Sequence, residues 1–328
     1  MIYKSFSDMS FLIKNNLSLL QSRNFDLIVG MSKTGIVPAY MISLYLNKNC
    51  CGLETLLNNN QLRTGITREV KDKLKYPNEA KNILIVLDYL EIGETLEKLL
   101  EQNNIKLTNI TTLCIYSDPN RLDVDLVLEH IVGPTSFEWN IFSESFTRDA
   151  CFDIDGVLCI DPNLEQDDDG EKYRDFLLNA PLLIKPIGKI NYLVTSRLEK
   201  YRSETETWLK KNKIAYNSLI MLDLPSLEER LKLGINAIHK AETYKNSSQK
   251  LFYESSRSEA IKIHQLTNKP VYCVDTNEMF SIEMGIPNLC AKVHKISLLE
   301  KLKSNVAKLP KPFFNILRGV YRILIVKD

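Results

Sequence analysis

Short apolar runs alternate with segments of helical spacing along this chain, and that alternation constrains the fold more than any other feature. FDLIVG (Phe25–Gly30), NILIVLDYL (Asn82–Leu90) and NITTLCIYSD (Asn109–Asp118) read as buried strands. GIVPAYMISLYLN and EIGETLEKLLEQNN read as helices following a loop, and CCGLETL as a further strand. The second half keeps the rhythm. Its strands are DACFDIDGVL, INYLVTSR (Ile190–Arg197), NSLIMLD, QKLFYES and KPVYCVD, with helices at LEKYRSETETWLKKN and EAIKIHQLTN. Continuous apolar strands separated by helices imply parallel sheets covered on both faces. The expected fold is α/β, with two Rossmann-like parallel-sheet domains in tandem. They are expected over residues 1–147 and 148–305, followed by a basic amphipathic helical tail at 306–328.

The length of 328 residues allows two cores of ordinary size. A formal net charge of +1 excludes a nucleic-acid binder that works by bulk charge. Seven cysteines, odd in number and without metal-ligand spacing, suit reduced thiols rather than a disulfide framework. The start, MIYKSFSDMS, is not a signal peptide, and no apolar run reaches the roughly 20 residues of a membrane span. A cytoplasmic location is expected.

CFDIDGVLCIDP (Cys151–Pro162) places two carboxylates, Asp153 and Asp155, on a pattern that otherwise reads as a buried strand. Buried charge is costly unless something pairs with it, such as a metal ion. A strand ending in D-x-D-G resembles the first motif of the haloacid dehalogenase superfamily, which implies a phosphatase. In that family the first Asp attacks phosphorus and the second handles the proton. The resemblance implies Asp153 as nucleophile, Asp155 as acid/base, and Mg2+ held by Asp153, Asp155 and Glu254. Thr195 matches the hydroxyl that binds a phosphoryl oxygen. Lys240, at the start of the expected helix HKAETYKN, matches the charge-balancing lysine, with Lys245 as competitor. Ser255 stands where the family often has a second acid, which leaves Glu259, Asp275 or water to complete the shell. Only Cys159 to Lys189 separate the first two motifs, too few for a full lid. The acid run Asp167–Asp169 reads as a solvated loop rather than a metal site.

In the first half, ILIVLDYLEIGETL resembles the phosphoribosyl diphosphate (PRPP) loop of type I phosphoribosyltransferases, and GMSKTGIVPAY (Gly30–Tyr40) resembles their pyrophosphate loop. The resemblance implies that Asp88, Gly93 and Thr95 bind the ribose and its 5-phosphate. Ser32, Lys33, Thr34 and Gly35 would line the pyrophosphate loop. Arg63, Arg68 and Lys71, in the polar stretch Leu56–Pro77, would close over it. Leu87, Ile92 and Glu94 depart from the motif. Trp139 reads as packing, with a place near the acceptor as the alternative.

Taken in order, the two chemistries deliver an unphosphorylated ribofuranosyl group to an acceptor, expected to be a glycan. Nucleotide salvage is one alternative, and a dead PRPP- or nucleotide-sensing domain that regulates the phosphatase is another. The tail, with Phe313, Ile316, Leu317, Val320, Tyr321 and Leu324 at helical spacing among basic residues, is a candidate peripheral membrane contact. Packing on the protein itself is the preferred reading.

Overall fold

The computed structural model describes residues 1–63, 70, 72–89, 101–102, 109–119 and 124–281. In chain order the elements are β1 (Ile2–Lys4), α1 (Phe6–Asn15), α2 (Leu17–Ser22), β2 (Leu27–Gly30), α3 (Ile36–Leu46), β3 (Asn49–Gly52), α4 (Leu53–Leu57), β4 (Ile83–Tyr89), β5 (Ile110–Ser117), β6 (Leu126–His130), β7 (Thr135–Phe137) and α5 (Glu144–Arg148). There follow β8 (Ala150–Phe152), α6 (Glu171–Asn179), β9 (Ile190–Leu198), α7 (Arg202–Lys211), β10 (Tyr216–Leu222), α8 (Leu227–Leu233), α9 (Asn236–Asn246), β11 (Leu251–Glu254), α10 (Arg257–Thr267), β12 (Val271–Cys273) and β13 (Glu278–Phe280).

Two larger sheets result. One has the order β3-β2-β4-β5-β6 and is parallel throughout; the other runs β10-β9-β8-β11-β12-β13, parallel except for the β12–β13 edge. Alternation along the strands explains the two-sided burial. Ile28, Leu84 and Val86 enter one apolar cluster with Met9, Ile13 and Ala39, while Leu27, Val29, Ile83 and Ile85 enter another with Leu56 and Leu62. The strand expected over CCGLETL ends at Gly52, and Leu53–Leu57 is helix α4. The glycine breaks the strand, and the unbranched leucines and Glu54 that follow favour a helical turn. Strands β1 and β7, three residues each, pair in parallel as a small separate sheet.

The described residues, up to Ser281, belong to one compact unit. The second large sheet meets strand β1 and the segment after β7 through aromatic side chains. Tyr253 donates its hydroxyl to the Ile141 carbonyl, Phe142 stacks on Tyr253 at 5.4 Å, and Tyr3 lies 5.6 Å from Tyr272. Ser281 also bonds the Met1 carbonyl at 2.8 Å.

Parallel strands send their C-terminal ends to one edge, and a crevice opens where the strand order reverses. In the first sheet that point lies between β2 and β4; in the second it lies between β8 and β11. These two edges hold the residues considered next.

Candidate active site

Asp153 follows directly on β8. Its backbone is fixed when its N–H bonds the Tyr253 carbonyl at 3.0 Å, and Phe152 stacks on Tyr253 with ring centroids 4.0 Å apart. The carboxylate accepts from the Ile154 N–H at 2.7 Å and from Lys240 Nζ at 2.6 Å. Lys240 also donates to Glu254 at 2.7 Å and to Glu259 at 2.8 Å, so its three ammonium hydrogens serve three carboxylates. It stands in the middle of α9 rather than at the helix start, because Asn236–Ile238 also join the helix. Ala237 and Ala241 on the same face keep the helix close to the sheet. Lys245 is exposed on the same helix. Glu254 ends β11, and its second oxygen accepts from the Ser255 and Ser256 N–H groups at 3.0 and 3.1 Å.

Asp155 turns to a different partner. The Arg197 guanidinium grips it as a fork, Nε to Oδ2 at 3.0 Å and Nη2 to Oδ1 at 2.6 Å, and the Cys159 thiol lies 3.4 Å from Oδ1. Arg197 is fully buried near the end of β9, where sequence reasoning had singled out only Thr195. The available signal was the T-S-R run closing an apolar strand. Thr195 is buried and lines the same cleft. Gly156 makes the tight exit from the strand possible. Its φ is +70°, and a Cβ there would lie 2.3 Å from Ser255 Oγ and 2.9 Å from Asp161 Oδ2.

These groups line a cleft of about 270 Å3, joined by Asp161, Asp167, Tyr173, Ser196, Arg230 and Asn236. Around it six carboxylates (Asp153, Asp155, Asp161, Asp167, Glu254, Glu259) face three cations (Lys240, Arg197, Arg230). The imbalance shows in the acidities. Burial pushes the Asp153 and Glu254 carboxyls up, Lys240 offsets part of this, and neighbouring acids add to it. For Asp155 burial works in the same direction, but the Arg197 guanidinium overrides it and holds the carboxyl below its ordinary value. Asp161 is pushed up to about 6, by burial first and then by Asp155 and Asp153. Lys240 is held charged well above its ordinary value by Asp153, Glu254 and Glu259, against its burial.

No three acids, histidines or cysteines converge into a closed metal cage among the described residues. Mg2+ does not need one, since it takes one or two carboxylates and keeps water in the remaining positions. The excess of hard oxygen donors over cations fits such an ion, with Asp153 and Glu254 as the acids not committed to Arg197.

The acid run at Asp167–Asp169 is more structured than a solvated loop. Asp168 caps α6 by accepting from the Gly170 and Tyr173 N–H groups, and Asp169 accepts from Lys200, Tyr201 and the Leu227 N–H. Asp167 lies 3.7 Å from Arg230. Between Cys159 and Lys189 the one helix is α6, so no lid domain intervenes.

At the first sheet's edge, Asp88 ends up buried near the end of β4. Thr34 Oγ1 donates to one of its oxygens at 2.8 Å, and Trp139 Nε1 donates to the other at 2.8 Å. Trp139 also stacks on Phe137 at 4.7 Å, so it packs and holds the acid at once. Ser32 Oγ accepts from the Gly35 N–H at 3.0 Å and lies 3.0 Å from Thr34 Oγ1. Gly35 packs against β4, where a Cβ would lie 2.7 Å from the Val86 carbonyl. Ser32, Lys33 and Arg63 are exposed. Gly93, Thr95, Arg68, Lys71 and the tail lie outside the described residues. No described helix is long and apolar enough to cross a membrane, and among the described residues no cysteine forms a disulfide.

No protein-family model matches this chain, and no curated protein matches it. Solved structures show partial likeness. A purine phosphoribosyltransferase from Pyrococcus horikoshii aligns at 18% identity over 42% of this chain and 92% of its own, with a TM-score of 0.29. A xanthine-guanine-hypoxanthine phosphoribosyltransferase from Helicobacter pylori aligns at 14% identity over 43% of this chain and 92% of its own, with a TM-score of 0.33. An orotate phosphoribosyltransferase from Aeropyrum pernix aligns at 16% identity over 38% and 70%, with a TM-score of 0.26. Similarity this shallow leaves the chemistry to the side chains described above.

Proposed function

We propose that the chain is a bifunctional enzyme. Its first 147 residues transfer phosphoribosyl from PRPP to an acceptor, a glycan, and residues 148–305 remove the 5-phosphate. The observation that carries the phosphatase half is the buried Asp153 carboxylate, held by Lys240 at 2.6 Å beside an Asp155 gripped by Arg197. One buried acid is aimed into a polar cleft, and the other has its ionised form enforced. Those are the needs of a nucleophile and a base.

In this reading Asp153 attacks phosphorus, the P–O bond to the alcohol breaks, and an aspartyl-phosphate forms. Thr195 holds a phosphoryl oxygen, and Lys240 balances charge around the nucleophile. Arg197 keeps Asp155 ionised, so the proton for the leaving alkoxide arrives with the substrate. A phosphomonoester monoanion, whose second pKa is about 6, carries it and passes it directly to the leaving oxygen, while Asp155 stays ionised. Asp155 then takes a proton from the water that attacks the phosphoenzyme. Mg2+, held by Asp153 and Glu254, would neutralise phosphoryl charge. Hydrolysis of p-nitrophenyl phosphate with and without Mg2+ tests this half; no turnover under either condition contradicts it.

The transferase half rests on the Asp88, Thr34 and Gly35 arrangement at the β2/β4 crevice. One observation favours the sensing alternative: Asp88 spends both oxygens on Thr34 and Trp139. Titration calorimetry with PRPP and Mg2+, followed by a pyrophosphate-release assay on oligosaccharide acceptors, separates the two. Binding without release favours the sensor.

A further inference from the structure

We propose that the alcohol portion of the phosphomonoester lies in the open groove beside the cleft. The groove takes a neutral polyhydroxylated group, a sugar, rather than a nucleobase or a second phosphate. The proposal rests on the phosphatase reading and names the substrate class of that same site. The groove measures about 650 Å3, within the range of small-molecule sites. It shares Asp161, Ser255 and Ser256 with the catalytic cleft, so a substrate whose phosphorus sits at Asp153 extends into it without a break.

Its lining selects by chemistry. Ser256 and Ser258, 3.0 Å apart, offer hydroxyls that both donate and accept. Asp161 and Asp275 offer carboxylates that accept from vicinal hydroxyls. Arg257, the one cation among the described lining residues, is held by Glu278 at 2.6 and 3.2 Å, so its charge is already compensated. A second phosphate would meet two carboxylates and no uncommitted cation. A nucleobase wants an aromatic or broad apolar face, and among the described lining residues Ile261 is the one apolar side chain. The upward push on Asp161, to which Asp275 contributes, reflects the same negative field. Among the described residues no lid closes over the groove, so a sugar that continues into a longer chain fits as well as a free one.

The test uses the full-length protein and kcat/KM for methyl ribofuranoside 5-phosphate, adenosine 5-monophosphate, ribose 1,5-bisphosphate and p-nitrophenyl phosphate. The wild type should favour the glycoside over the nucleotide and the bisphosphate by about tenfold or more. Asp275→Lys, at an exposed position, should shrink the discrimination against the bisphosphate by about tenfold, the effect of one nearby charge reversal in a partly screened site. Ser258→Trp, which fills the groove, should reduce glycoside turnover far more than p-nitrophenyl phosphate turnover. Equal or better use of the nucleotide, or variants that scale all substrates alike, overturns the proposal and leaves the phosphatase intact. Failure to hydrolyse any of these compounds, p-nitrophenyl phosphate included, overturns both.

Discussion

Under the proposed phosphatase mechanism, replacing Arg197 by Met should make the enzyme stall as a phosphoenzyme. The guanidinium is wholly buried and gives Asp155 two charge-assisted bonds, at 3.0 and 2.6 Å. Met matches much of the stem but leaves Asp155 without its counter-charge. Breaking a buried pair from one side costs about 3–5 kcal/mol of stability. At about 2–4 °C per kcal/mol for a unit of 150 residues or more, that is a fall in Tm of roughly 6–20 °C. The catalytic loss follows from the acidity. With Arg197 gone, burial is the leading influence on Asp155 and favours its protonated form. A protonated Asp155 cannot take the proton of the attacking water, so hydrolysis of the aspartyl-phosphate slows by about 10²–10⁴-fold. Formation of the intermediate slows less. Urea melts give the first quantity, and acid quench of a single turnover gives the second. The double variant Arg197→Met/Asp155→Asn should lose less than the two single losses combined, because the orphaned charge is gone. Wild-type kcat with no phosphoenzyme build-up, or strict additivity in the double variant, would refute the reasoning.

Other expectations follow from particular contacts. Lys240→Met leaves the buried Asp153 and Glu254 and the half-buried Glu259 facing one another, so the variant should unfold at lower urea than the wild type, and saturating Mg2+ should recover more stability for it than for the wild type. Asp161 has a raised carboxyl, so its ionisation opposes folding: stability from this group is whole below its ordinary value near 4 and is lost as pH rises through about 6. Asp161→Asn should therefore gain on the wild type in urea midpoints measured above pH 6, and gain nothing at about pH 4; a gain of equal size at both would contradict this. Trp139→Phe removes the bond to Asp88 while keeping an aromatic ring, and should weaken PRPP binding measured by calorimetry without changing p-nitrophenyl phosphate turnover. Unchanged PRPP affinity would leave Trp139 as packing alone.

The strands that carry the sites were legible because each is an apolar run too short for a buried helix. Asp153, Thr195 and Glu254 were then placed by the motif resemblance; Asp153 follows β8 and Glu254 ends β11, while Thr195 lies inside β9, which continues to Leu198. Lys240 was placed by motif order, although α9 begins before the stretch read as helical. Arg197 was not singled out, because an arginine after Thr-Ser at a strand end looks solvent-exposed. Only the tertiary fold brings Asp155, 42 positions away, against it. The Trp139–Asp88 bond spans 51 positions for the same reason. Strands β1 and β7 are too short to display a period of two, and they exist because each supplies the other's backbone partners. Both single-residue departures concern long-range pairing, which local patterns do not encode.

The central claim is that Asp153 is the phosphate-accepting nucleophile, and the most direct measurement is rapid acid quench followed by peptide mass analysis. During turnover of a phosphomonoester with Mg2+, the wild-type peptide containing Asp153 should gain the mass of one phosphoryl group, and hydroxylamine should remove it as expected for an acyl phosphate. Asp153→Asn should show neither the adduct nor turnover. Hydrolysis at the wild-type rate by Asp153→Asn, or a phosphoryl adduct on a different residue, would contradict the account.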